Sequence, residues 1–306
     1  MSPLLLALAC TASQDSSSES TPHSESGTES ATDIGALTLH RSWMGTDADD
    51  QLGSSVTAGG GRRFAGAPGV HRVHALDDEL ELVLEAEGRA GHALAWSDGL
   101  IVGAPLHQTH RGALLAEDGE VLATGSDHAT LGAWVQVSGG SVLASAGTAV
   151  WRDGELMETG ERVAAAVLVD DELVSFSHTT GGRAACVADL DGDGALELAV
   201  GDATRATVAL YDADDTDSVV ETLVGSGRFG AALACAEGRL AIGDPSRAEH
   251  AGAVWLVDHG VLAEPPLQVG EAGDELGFAL AWDGRELLVG APGTGDRPGS
   301  VLLFGP

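Results

Sequence analysis

Asp189, Asp191, Asp193 and Glu197 alternate along the nine-residue run Asp-Leu-Asp-Gly-Asp-Gly-Ala-Leu-Glu. Calcium takes six to eight oxygens at roughly 2.3–2.6 Å, and a tight loop lets alternate side chains converge to supply them. Gly194 at the sixth position permits the sharp turn, and Ala195 at the seventh can offer its backbone carbonyl. Carboxylates this close repel one another unless a cation lies among them. The expected cofactor is therefore one Ca2+, held by Asp189, Asp191, Asp193, Ala195 and Glu197, with a structural role. An acidic surface turn that binds nothing is the alternative.

An EF-hand does not fit. Its twelfth position needs a bidentate Glu, and Val200 stands there. The flanks, Cys186-Val187-Ala188 and Leu196–Val200, read as strands. Other candidates have duller readings. His107 and His110 have a zinc-compatible spacing but no third ligand nearby, so they read as solvated loop residues. Asp212, Asp214, Asp215 and Asp217 lack an organising glycine turn and read as a solvated loop. No nucleophile elbow, P-loop or dinucleotide fingerprint appears. No catalytic residue and no organic cofactor are expected, and the chain reads as non-enzymatic.

The metal loop must be carried by a repeated unit. Each copy opens on an apolar residue and Gly, runs through an apolar strand, turns, and rises to a Gly-containing end. The best copies run from Leu52-Gly53 to Ala67-Pro68, Ala90-Gly91 to Ala104-Pro105, Phe229-Gly230 to Asp244-Pro245, and Leu276-Gly277 to Ala291-Pro292. Weaker ones start at Leu131-Gly132, near Arg162-Val163 and near Gly182-Arg183. Tight turns such as Asp98-Gly99, Gly139-Gly140, Glu237-Gly238 and Asp283-Gly284 join the first two strands. Third and fourth strands follow in most copies.

Four short antiparallel strands repeated radially predict an all-β chain folded as a β-propeller. Room for only two strands between residues 160 and 182 leaves two counts open. The ring is expected to have seven blades with one truncated; six blades and an extra hairpin is the alternative. The last copy lacks an outer strand, and Gly35–His40 has no partner of its own. That segment is predicted to complete the last blade and remove an exposed edge.

The Leu/Phe-Gly starts, the Val-Gly-Ala-Pro ends and the inserted Asp-rich loop together resemble the FG-GAP repeats of the integrin α-subunit amino-terminal propeller and its bacterial relatives. The resemblance covers residues 34–306. It implies calcium ligands from alternate loop positions; Glu197 departs from the family's usual Asp. It also implies recognition of a protein or polysaccharide ligand at the cell surface. An extracellular propeller lyase or hydrolase, or an envelope-assembly scaffold, are the alternatives.

Met1–Ala9 is apolar, too short to span a bilayer, and leads into Cys10, which resembles the lipidation cysteine of a bacterial lipoprotein. Residues 1–9 then form a signal peptide, and 10–33 a Ser/Thr/Glu-rich disordered tether. The expectation is an exported, lipid-anchored monomer of the cell envelope. A net charge of −32 argues against nucleic-acid partners. Cys186 and Cys235 fall in successive copies, offset by one position, which points them to opposite strand faces. Buried free thiols are expected in preference to a bridge.

Overall fold

The computed structural model describes residues 37–177, 184–236 and 238–306. The expected signal segment 1–9, Cys10 and the tether 10–33 lie outside the described residues. The described residues form six four-stranded antiparallel blades and one two-stranded sheet.

Blade 1 contains Ser55–Gly59, Arg62–Ala67, Arg72–Leu76 and Leu80–Glu85. Blade 2 contains Ala93–Trp96, Leu100–Ala104, Ala113–Ala116 and Val121–Thr124. Blade 3 contains Val135–Ser138, Ser141–Ser145, Ala149–Arg152 and Glu155–Glu158. The two-stranded sheet, Ala165–Val169 with Glu172–Phe176, comes next.

Blade 4 contains Ala185–Ala188, Glu197–Asp202, Thr207–Asp212 and Asp215–Val224. Blade 5 contains Ala232–Ala236, Arg239–Asp244 and Ala253–Asp258, with its outer strand split into Val261–Leu262 and Gln268–Val269. Blade 6 contains Ala279–Asp283, Glu286–Ala291 and Ser300–Gly305, and Thr38–Met44 supplies its outer strand. That pairing joins the two ends of the ring as expected. All seven sequence copies seed an inner strand; six of them grow into complete blades.

Glycine explains the repeat's signature. The Gly of one blade's second strand lies against the starting Gly of the next blade. The pairs are Gly66 on Gly91, Gly103 on Gly132, Gly201 on Gly230, Gly243 on Gly277, and Gly290 on Gly53. A Cβ on the first member of each pair would lie 1.9–2.2 Å from the carbonyl oxygen of the second. No side chain fits in that joint, so both ends of the repeat keep glycine.

The core is divided in the same way. One cluster fills each boundary between neighbouring sheets, such as Leu198 and Val200 with Val167, or Leu210 and Leu233 with Trp255. Asp244 replaces the alanine found in blades 1, 2 and 6 and is fully buried. Its Oδ1 accepts the Arg228 N–H at 2.7 Å. Burial pushes its carboxyl up, against the opposing pull of backbone N–H groups and of Arg247 and Arg228.

The expectation of free thiols is overturned. Cys186 and Cys235 form a disulfide between the inner strands of blades 4 and 5, with Cα atoms 5.8 Å apart. Successive blades stack face to face. A bridge therefore needs one cysteine on the trailing face of its sheet and the other on the leading face of the next. The one-residue offset provides that arrangement.

Candidate metal centre

The acidic loop links the first two strands of blade 4, Ala185–Ala188 and Glu197–Asp202. Leu190 anchors it. This side chain is 2% exposed and packs into the core shared by blades 4 and 5. Burying one apolar residue inside an otherwise exposed run fixes where the flanking carboxylates emerge. Gly192 and Gly194 adopt φ of 86° and 92°, the left-handed turns that fold the loop back.

Each carboxylate is aimed by a backbone N–H. Asp189 Oδ1 accepts from Gly192 at 2.7 Å and Oδ2 from Gly194 at 3.0 Å. Asp191 Oδ1 accepts the Asp193 N–H at 3.0 Å, and Asp193 Oδ1 accepts that of Ala195 at 2.8 Å. Glu197 Oε2 accepts the Leu190 N–H at 2.6 Å. One oxygen from each of Asp189, Asp191 and Glu197 lies within 4.8 Å of the others. Two oxygens sharing a calcium at 2.3–2.6 Å can be at most about 5 Å apart, so this trio fits one ion. Asp193 is exposed and outside the trio, and Ala195, expected to offer its backbone carbonyl, is exposed.

Burial pushes the Glu197 carboxyl above its usual range. The Leu190 N–H opposes that rise, and the charges of Asp191, Asp193 and Asp189 add to it. Negative charge is thus concentrated where a cation would relieve it.

Blade 5 buttresses the loop. The Gly238 N–H bonds the Asp189 carbonyl at 2.8 Å, and the His259 N–H bonds the Gly238 carbonyl at 2.8 Å. A Cβ on Gly192 would meet the His259 ring at 3.2 Å. These contacts come from the next blade, so loop spacing alone gave no sign of them.

The other sequence candidates do not join a cluster of three or more metal-ligating side chains among the described residues. His107–His110 is a short turn between blade 2 strands, and Arg247–His250 is its counterpart in blade 5. Both lead into parallel bridges, Gly112 with Leu131 and Gly252 with Leu276, so they are connectors of the repeat.

A central channel of about 650 Å³ is lined by all seven inner strands. Its wall is mostly Ala, Val, Leu and small hydroxyls. The charged residues lining it are Asp170 and Asp171, at the turn of the two-stranded sheet. No helix among the described residues is long and apolar enough to cross a membrane.

No family model and no curated protein matches the sequence. Among solved structures 392 chains match. One, from the crystal structure of a mitotic checkpoint complex, superimposes with a TM-score of 0.62 at 13% identity. The match covers 88% of this chain and 95% of that one. At such identity the likeness establishes the β-propeller fold and carries no function with it.

Proposed function

We propose that this β-propeller is a non-enzymatic recognition module of the FG-GAP type, exported and lipid-anchored through Cys10, with one structural calcium on blade 4. The observation that carries this reading is the convergence of Asp189, Asp191 and Glu197 within 4.8 Å on a loop already shaped by five backbone hydrogen bonds. Asp193 and the Ala195 carbonyl would supply further ligands. The ion would neutralise the carboxylates and stiffen the loop against blade 5. The ligand, a protein or polysaccharide, would be met by loops on one face of the ring. A channel wall of mostly Ala, Val, Leu and small hydroxyls, with its charges confined to Asp170 and Asp171 among the described residues, supports recognition by loops over chemistry at the axis.

Calcium titration of the full chain followed by thermal unfolding tests the metal. Calcium at 100 times its Kd stabilises by about 2.7 kcal/mol, or about 5–10 °C in a domain of this size. Asp189→Ala should abolish that increment. A glycan array and pull-downs, each with and without chelator, test recognition. A melting curve and a binding profile both indifferent to chelator would sink the calcium reading.

A further inference from the structure

Among the described residues, the two-stranded sheet has no strand against its outer edge. In each blade, a third strand lies against the second. Among the described residues, Glu172–Phe176 has no such neighbour on its outer side. Its hydrogen-bonding polarity follows from the turn. Asp170 and Asp171, with φ of 48° and 68°, form a two-residue turn that makes Val169 and Glu172 a hydrogen-bonded pair. Alternation then turns the N–H and C=O groups of Leu173 and Ser175 outward. Ser175 is exposed.

The flanks suit an inserted strand. On one side Met157, paired with Val150 on blade 3, is half-buried. On the other, blade 4 presents Tyr211 and its pair Val219, which is 49% exposed. Phe176 is also half-buried, and it and Tyr211 pack against the same core cluster. Glu155 is exposed on the Met157 face of blade 3, Glu161 in the connection that follows, and Asp170, Asp171 and Glu172 at the turn of the two-stranded sheet. Against them are Arg152, already bonded to Asp171, and Arg162.

We propose that this edge accepts an extended segment of another protein, added as a third strand, with basic residues between apolar ones. The backbone ladder would supply affinity, and alternate side chains would supply selectivity. Charge selects this occupant. A second copy would bring the same acidic edge and a net charge of −32, and the chain's own residues 11–33 carry five carboxylates and no Lys or Arg. The site shares no residue with the calcium loop. It deepens the recognition reading by naming one kind of partner.

The test uses the full chain and a fluorescein-labelled Val-Arg-Val-Arg-Val-Arg-Val peptide, followed by anisotropy with and without EDTA. Its comparators are the same peptide N-methylated at alternate backbone positions, of equal charge, and a Glu-for-Arg version. Both comparators should bind at least tenfold more weakly, and Ser175→Pro should weaken the parent peptide as much while Ser175→Ala leaves it unchanged. Binding insensitive to EDTA would be expected here even if the calcium reading fails. Equal binding of the N-methylated peptide would show plain charge attraction and overturn the proposal. So would no binding at all, protection of the Leu173 and Ser175 amides from hydrogen exchange in the free chain, or a dimer that Ser175→Pro dissociates. The N-methylated comparator keeps the test decisive should the proline variant fold poorly.

Discussion

The boundary between blades 4 and 5 and the boundary between blade 3 and the two-stranded sheet close the same ring by different means. The first has the glycine joint, Gly201 on Gly230, with the Cys186–Cys235 bridge and Leu190 beside it. Backbone meets backbone there, and apolar packing does the rest. At the second, Ser145 stands where other blades have the joint glycine, and polar side chains take over. Trp134 Nε1 donates to the Val163 carbonyl at 3.1 Å, and Gln136 donates to that of Ala166. Ser138 Oγ accepts the Leu168 N–H at 2.9 Å. The alternate residues Trp134, Gln136 and Ser138, at and just before one inner strand, thus grip the backbone at and just before the next. Close glycine contact and side-chain bonding are interchangeable solutions to the same spacing problem.

Breaking the bridge should have the largest effect. Replacing Cys186 and Cys235 by Ser opens a cross-link between residues 49 apart and should cost about 4 kcal/mol in urea unfolding under oxidising conditions. Gly201→Ala comes next. Its Cβ would fall 2.1 Å from the Gly230 carbonyl oxygen, and backbone must move, at a cost of about 3 kcal/mol. Ser145→Ala, at the equivalent place without a glycine pair, should cost about 1 kcal/mol through loss of its bond to the Trp134 N–H. Equal losses at Gly201 and Ser145 would erase the distinction between the two boundaries.

Gln136→Leu should cost about 1–2 kcal/mol by stranding the Ala166 carbonyl, and hydrogen exchange should quicken in 165–176 before it does in blade 5. The subtlest effect belongs to Asp244. Its folded pKa lies above the unfolded value, so the folded state holds the proton more tightly. Its penalty is absent below the unfolded pKa and grows as pH rises through the folded one. The stability of Asp244→Asn relative to the parent should therefore improve from pH 4 to pH 7; a flat difference would refute a strained carboxylate.

What the sequence revealed tracks the same contrast. Copies ending in Gly-Ala-Pro announce their blades because a backbone-to-backbone joint admits no side chain. Blade 3 and the two-stranded sheet blurred because Gln136 and Ser138 solve the joint with residues that carry no repeat signature. The carboxylates of Asp189, Asp191 and Glu197 were legible from spacing, whereas Leu190 as anchor and Gly238 as buttress depend on a neighbour 40 or more residues away in sequence. The cysteine pair was misread for a geometric reason. Opposite faces separate two residues within one sheet and bring them together across two.

The strand Thr38–Met44 is placed against Ser300–Gly305, and its first hydrogen-bonded contact spans 267 positions. During synthesis the earliest described strand therefore waits for the final one before it has anywhere to go. Until then blade 6 has a bare margin, and the wheel is a horseshoe. Sequestering that margin and the waiting strand is the task any chaperone of this chain would face.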